Sequence, residues 1–260
     1  MDYAQVAEDL MGFVPVPPSG DRSVDSRGRL TFLPGPNPLF GNVSAVRTSA
    51  DELDAFRKDI ATWFAARGRS ECTWLIGPST TPANLAALLA ERGATPLELG
   101  TGTAMVLDAP PPGSSTGIDV RPIETREQLA AVRRLLFFLG DEPPADALAA
   151  VEAGLDEAWA DYQAMDGQRR YFLAYVDDRP VSAGGLGITE HPVGVLGGGA
   201  TARDFRGRGC YAALVRARWD AAQAAGCPAL IVHASEMSRP VLAALGFRPV
   251  GNIVAMLQRI

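Results

Sequence analysis

Three arginines and two glycines crowd the stretch ARDFRGRGCY, residues 202–211, and small and apolar residues at helical spacing follow at once. The first turn of a helix leaves backbone N–H groups unpaired and carries partial positive charge. Glycine lets the backbone come close to an anion and adopt positive φ. Arg203, Arg206 and Arg208 add charge that carboxylates and phosphates can use. The pattern fits a phosphate cradle at a helix N-terminus. A surface turn with merely solvated arginines is the alternative. A P-loop requires GxxxxGK[ST], and no such string occurs. A Rossmann fingerprint requires a third glycine after the first strand of a βαβ unit; GRGCYA lacks it and follows a hairpin.

This basic loop stands in an acidic chain. The 260 residues carry a formal net charge of −6, with 47% hydrophobic and 21% charged residues. General nucleic-acid binding, which needs a surplus of Lys and Arg, is not expected. No apolar run approaches the roughly 18–20 residues that span a bilayer, and the acidic N-terminus does not read as a secretory signal. Cys72, Cys210 and Cys227 lie far apart without a CxxC, and only His191 and His233 are present. Neither a disulfide framework nor a metal site is expected, and the chain reads as cytoplasmic.

The elements that must position the loop are legible around it. Ile118–Ile123 alternates like a half-buried strand, and Thr125 with Gln128 has capping-box spacing before the helical QLAAVRRLLFF. A second helical stretch runs through residues 145–165. RYFLAYV, the turn DDRP and VSAGGLGI form a strand hairpin, and a third strand, VGVLGGGATA, leads into the loop. A helix to Ala225, strand ALIVHAS, helix RPVLAAL with Gly246 at its end, and strand FRPVGNIVAML complete the chain. On the helix after the loop, Cys210, Leu214, Ala217 and Ala221 share a face, which reads as core.

The linker APPPGSSTG, residues 109–117, separates this region from a thinner first half. There GRLTFL and GNVSAV are strand candidates. Ser49 and Glu52 form another capping box before a helix. Strand CTWLIG, a helix with Thr81 as N-cap and Pro82 at its first position, and strand TGTAMVLD follow. Both halves end in the order helix, strand, serine (Ser79, Ser235), Leu/Ala helix, glycine (Gly93, Gly246), strand. The first half has no counterpart of RGRG.

Arg206-Gly-Arg-Gly-Cys-Tyr211 resembles the [Q/R]xxGx[G/A] signature of the GNAT superfamily, the acetyl-CoA-dependent N-acetyltransferases. The order of elements around it is similar too, and Leu245-Gly-Phe247 looks like the family's helix-to-strand ending. The resemblance implies an α+β fold: a mixed, mostly antiparallel sheet flanked by helices, with a smaller related α/β half in front. Residues 118–260 would be the acetyltransferase domain, 109–117 the linker, and 1–108 a degenerate GNAT-like domain without cofactor.

In such proteins the pantetheine arm of acetyl-CoA inserts beside the strand before the signature. Carried over, Ala200, Thr201 and Ala202 would offer backbone groups to the pantetheine. Arg206, Gly207, Arg208, Gly209, Cys210 and Tyr211 would wrap the pyrophosphate with backbone N–H groups, and Ser235 would hydrogen-bond the cofactor. Two departures stand out. Tyr211 replaces the last small residue of the signature and is expected to point away from the phosphates. Ser235 and Leu242 stand where many members carry Asn and Tyr, and Leu242 cannot protonate a departing thiolate.

The reaction needs a neutral amine, an N–H aimed at the oxyanion and a fate for the thiolate. Orientation of the two reactants supplies much of the acceleration. No covalent intermediate is required, so Cys210 need not be a nucleophile. His233 and Glu236 are the candidate acid–base residues, against a hydrogen-bonded core histidine and a solvated acid; Glu190 and His191 lie in a turn on the expected acceptor side. Tyr171 and Tyr175 read as packing residues. The implied function is acetyl transfer to a primary amine of a small molecule or peptide. A catalytically weak acyl-CoA-binding sensor is the alternative, and the first half has a third reading as a module that covers a sheet edge or pairs a homodimer. No metal, nucleic acid or membrane is expected as partner.

Overall fold

The computed structural model describes residues 2–35, 37–113, 117–141, 149, 152–188 and 193–260. The chain forms two compact units, Met1–Val106 with Ile231–Ile260, and Leu107–Leu230.

The first unit is built on a mixed sheet. Strands β1 (Asp21–Asp25) and β2 (Gly28–Phe32) form an antiparallel hairpin, β3 (Gly41–Ser44) continues it, and β3 runs parallel to β4 (Glu71–Ile76). Helix α2 (Leu53–Ala65) fills the crossover between those parallel strands. It buries Leu53, Phe56, Ile60 and Phe64, which recur on one helical face. The Phe56 ring meets Trp74 edge-on, centroids 5.9 Å apart. Ser49 and Glu52 exchange hydrogen bonds ahead of α2, as their spacing predicts.

The chain's last strand, β12 (Arg248–Arg259), serves two neighbours. Its C-terminal half pairs antiparallel with β4, from Val254↔Ile76 to Arg259↔Glu71. Its N-terminal half pairs antiparallel with β6 (Gly102–Leu107), from Arg248↔Val106 to Ile253↔Gly102. The two-residue β5 (Thr95–Pro96) also pairs with β12, and β11 (Leu230–Ala234) follows β6 in the sheet. Gln258 on β12 accepts from both Trp74 Nε1 and Arg57 Nε at 3.1 Å, a buried polar junction among apolar residues. The short helices α1 (Tyr3–Glu8), α3 (Leu85–Glu91) and α7 (Arg239–Ala244) complete this unit.

Two details differ from the sequence reading. Thr81 does not cap α3: its N–H donates to Val46 O and its carbonyl accepts from Thr48 N, so the helix starts at Leu85, after Asn84. Residues 231–260 pack into one compact unit with the N-terminal residues, although the linker at 109–117 suggested a linear division.

The second unit is an antiparallel meander, in the order β10 (Gly194–Thr201), β9 (Arg179–Ile188), β8 (Arg169–Val176), β7 (Asp119–Pro122). The β8–β9 turn has Asp177 and Asp178 at φ 49° and 58°. Two successive positive φ values match the twist of a tight hairpin. Helix α4 (Arg126–Phe137) opens with the expected capping box between Thr125 and Gln128. Of the predicted 145–165 helix, α5 (Leu155–Ala164) is described; residues 142–148 and 150–151 lie outside the described residues.

Successive strand residues face opposite sides of a sheet. A Cβ on Gly184 would meet Arg218 of α6 (Cys210–Ala224), whereas one on the adjacent Gly185 would meet Tyr171. On the Tyr171 side, Ile123, Leu129, Val132, Leu155, Leu173 and Ala183 form the core with α4 and α5, and Tyr175 packs against it. Helix α6 takes the other side. Its buried stripe runs through Cys210, Leu214, Arg218 and Ala222, one residue off the expected Ala217 and Ala221. An apolar-pattern reading steers around an arginine, yet here the arginine is the core residue.

Candidate active site

The stretch that joins β10 to α6 makes a single turn of 3-10 helix at Arg203–Phe205 and then the loop Arg206–Gly209. Gly207 and Gly209 have φ of 76° and 85°, a region L side chains rarely adopt. No side chain caps α6, and its first intrahelical bond is Ala213 N–H to Gly209 O at 2.9 Å. The N–H groups of Cys210, Tyr211 and Ala212 therefore precede the helical ladder. Open space surrounds the Cα atoms of Gly207 and Gly209: a Cβ at either would touch nothing within 4 Å.

The arginines do different jobs. Arg206 turns back into its own unit: Nε donates to Thr201 O at 3.1 Å, Nη2 donates to Leu139 O at 2.8 Å, and Nη2 lies 3.6 Å from Asp141 Oδ1. It braces the loop against the end of β10 and the segment after α4. Arg208 stacks on the Phe205 ring, 5.1 Å from its centroid, and Arg179 approaches the same ring at 5.8 Å. A cavity of about 260 Å³ lies alongside, lined by Arg134, Gly140, Asp141, Arg179, Pro180 and Ala202 among others. Gly140 was not singled out by the sequence. It sits at φ 84°, its carbonyl accepts from Arg203 N, and a Cβ there would collide with the Thr201 carbonyl.

Ahead of the loop, Ala200 and Thr201 are held by β9. Ser182 Oγ donates to Ala200 O at 2.8 Å and lies 2.7 Å from Thr201 Oγ1; Ala202 N donates to Val181 O. The ladder breaks at a bulge between Gly197 and Gly199, where Gly198 has φ 63° and all three glycines are exposed. A Cβ on Gly199 would stand 2.7 Å from Tyr211 Cε2 and 3.4 Å from the Tyr211 hydroxyl. The large residue in the signature is thus accommodated by a missing side chain on the strand.

Beneath Tyr211 lies Arg218, fully buried, its guanidinium 5.6 Å from the Tyr211 ring centroid. Nε donates to Leu214 O at 3.1 Å, and Nη1 donates to Gly185 O and Gly198 O at 3.3 Å. Nη2 is buried without a hydrogen bond. Burial pushes the Arg218 pKa down, and the neighbouring Tyr211 hydroxyl works against that shift. Cys210, buried at the head of α6, has its thiol pKa raised by burial, which disfavours the nucleophilic thiolate.

The other expected residues belong to the first unit. His233 on β11 is half-buried, with Nε2 2.8 Å from Ala7 O. A carbonyl only accepts, so Nε2 carries the proton. Desolvation pushes the His233 pKa down to about 4, so the ring is neutral at pH 7. Ser235 Oγ accepts from Ser238 N at 3.3 Å and lies 3.1 Å from Ser238 Oγ, in the turn that opens α7. Glu236 is exposed beside it, and Leu242 is fully buried. Glu190 and His191 lie outside the described residues. Among the described residues, no group of three or more His, Cys, Asp or Glu could hold a metal ion, and no helix is long and apolar enough to cross a membrane.

The fold is shared with solved acetyltransferases. A GCN5-related N-acetyltransferase from Kribbella flavida is similar with a TM-score of 0.68 at 16% identity, over 99% of this chain and 95% of that one. A tandem GNAT protein from the clavulanic acid biosynthesis pathway is similar with a TM-score of 0.63 at 18% identity, over 100% and 88%. A GCN5-related N-acetyltransferase from Sphaerobacter thermophilus follows at 0.57 and 16%, over 91% and 82%. No curated protein sequence matches. These likenesses define the acyl-CoA N-acyltransferase fold for the chain. Residues 137–247 match the acetyltransferase (GNAT) family, so the chain carries a C-terminal GNAT domain preceded by an N-terminal half.

Proposed function

We propose that the chain transfers an acetyl group from acetyl-CoA to a primary amine of a small molecule or peptide by direct attack. The observation that carries this reading is the uncapped, glycine-opened start of α6 at Gly207–Tyr211, inside the GNAT domain and following the strand that carries the exposed glycine bulge. Oriented N–H groups at a helix N-terminus suit the pyrophosphate of coenzyme A. Arg206 fits better as the brace that fixes the loop than as a phosphate ligand, because carbonyls and Asp141 already occupy its guanidinium. Arg208 contributes charge from its stack on Phe205.

The pantetheine would run back along β10 past Thr201 and Ala200, using backbone groups of 200–202 that Ser182, Val181 and Arg206 do not take. A rise of about 3.3 Å per residue brings its far end to Gly197–Gly199. Ser235 remains a cofactor-binding candidate, with its hydroxyl shared with Ser238. His233 is a weak base in this setting, because it is neutral and its Nε2–H is committed to Ala7. Glu236, exposed to solvent, is the remaining acid–base candidate. The acidic chain favours cationic acceptors. Three free, buried thiols suit a reducing compartment, and the reading places the enzyme in the cytoplasm without a metal.

The second reading is an acyl-CoA-binding sensor, and the buried Leu242 favours it, since no acid stands at that position. An assay of coenzyme A thiol release from acetyl-CoA across a panel of primary amines separates the two. Rapid release with one acceptor supports the transferase. Tight acetyl-CoA binding without release across the panel supports the sensor.

A further inference from the structure

If acetyl transfer is the reaction, the departing thiolate needs a proton, and Leu242 has none to give. The Tyr211 hydroxyl lies beside the stretch of β10 to which the proposed pantetheine path leads. Tyr211 leaves the first turn of α6 and lays its ring against Gly199, hydroxyl toward the strand, beside the exposed bulge Gly197–Gly199. No side chain on 197–199 stands between that hydroxyl and the strand's open backbone. Below the ring, Arg218 is an uncommon residue for a core: a fully buried guanidinium that donates to the carbonyls of Leu214, Gly185 and Gly198, with the Tyr211 hydroxyl beside it. One of these carbonyls belongs to Gly198, the bulge residue itself. Gly184 makes room for the guanidinium, since a Cβ there would come within 2.8 Å of Nη1. Burying a charge without a carboxylate costs several kcal/mol unless a local requirement retains it. The requirement evident here is to hold the bulge and the Tyr211 ring in one arrangement.

We propose that Tyr211 is the catalytic acid that protonates the coenzyme A sulfur, and that Arg218 is the positioning residue that holds Tyr211 and the Gly198 bulge. The proposal rests on the acetyltransferase reading. The amine lone pair forms the new N–C bond at the thioester carbonyl carbon. When the tetrahedral adduct collapses, the C–S bond breaks and its electron pair goes to sulfur. The Tyr211 O–H proton passes to that sulfur, giving the thiol. The phenolate is reprotonated from water as the attacking nitrogen loses its proton to solvent, so the net change moves one proton from nitrogen to sulfur.

The test uses the full chain, acetyl-CoA, and hydroxylamine as the amine probe, with thiol release as readout and calorimetry for acetyl-CoA binding. Tyr211→Phe keeps the ring against Gly199 and removes only the proton. It is expected to lower kcat about a hundredfold and leave the acetyl-CoA Kd unchanged. Arg218→Met is expected to lower kcat in the parent and add little in the Tyr211→Phe background, because both act on one step. Parental turnover by Tyr211→Phe overturns the proposal. So does a parallel loss of acetyl-CoA affinity and turnover, which would make the ring a packing element. A parent chain that binds acetyl-CoA but releases no thiol overturns it in favour of the sensor, and a parent that does not bind acetyl-CoA removes the functional reading beneath it.

Discussion

Tyr211 and Gly199 are a complementary pair: the ring of one fills the volume that a side chain on the other would need, with only 2.7 Å between Tyr211 Cε2 and a Cβ built at 199. Overpacking a contact of this kind costs about 1–3 kcal/mol. Gly199→Ala is therefore expected to lower stability by that amount in urea unfolding, and Tyr211→Ala in the same chain is expected to relieve most of it. Additive losses would mean that the two positions do not share this space.

Gly209 tests the proposed cofactor loop. Its φ of 85° is hostile to a β-branched residue. Gly209→Val is expected to distort the start of α6 and raise the acetyl-CoA Kd at least about tenfold, roughly 1.4 kcal/mol. Calorimetric titration checks this, and an unchanged constant would place the cofactor elsewhere.

His233 gives the chain a pH dependence of known sign. Its folded pKa of about 4 lies below the ordinary value of 6.5, so the unfolded chain binds more protons between those values. Stability contributed by the neutral ring is present above pH 6.5 and is lost as pH falls toward 4. The loss between pH 7 and pH 5 is about 2 kcal/mol. His233→Gln keeps a side-chain N–H for Ala7 but cannot titrate. Urea unfolding at the two pH values should show the variant losing less stability than the parent by about that amount.

Strand β12 makes the N-terminal half indispensable to the C-terminal strand. Residues Val254–Arg259 pair with β4 and Arg248–Ile253 with β6. Deleting residues 1–108 leaves both sets of backbone groups unpaired, an edge that invites aggregation. The truncated chain is expected in the insoluble fraction on expression. A soluble fragment with parental acetyl-CoA affinity would count against this dependence.

Local features were readable directly. Thr125 and Gln128 specify their capping box within four residues, and the Asp177–Asp178 turn needs only its neighbours' strands. The loop 206–211 was equally clear, because glycines at positive φ and a helix start are short-range facts. Strand β1 was missed: DRSVD is short and polar, and Asp21 and Arg22 are held by distant partners, Arg67 and the carbonyls of Met11 and Val14. The α6 face was misjudged by one residue because periodicity treats arginine as a surface residue. Arg218 is buried by the space that glycines on β9 leave, which no spacing within α6 encodes.

The sequence by itself determined most of the order of elements, the capped start at Thr125 and the glycine loop ahead of α6, because each rests on hydrogen bonds or backbone conformations spanning a few residues. Only the tertiary structure decided which strands β12 joins, that His233 is tied to Ala7, and that Tyr211 lies against Gly199 over Arg218. Those relationships depend on side-chain volume and desolvation between residues distant in the chain, and such matching exists only once the elements pack.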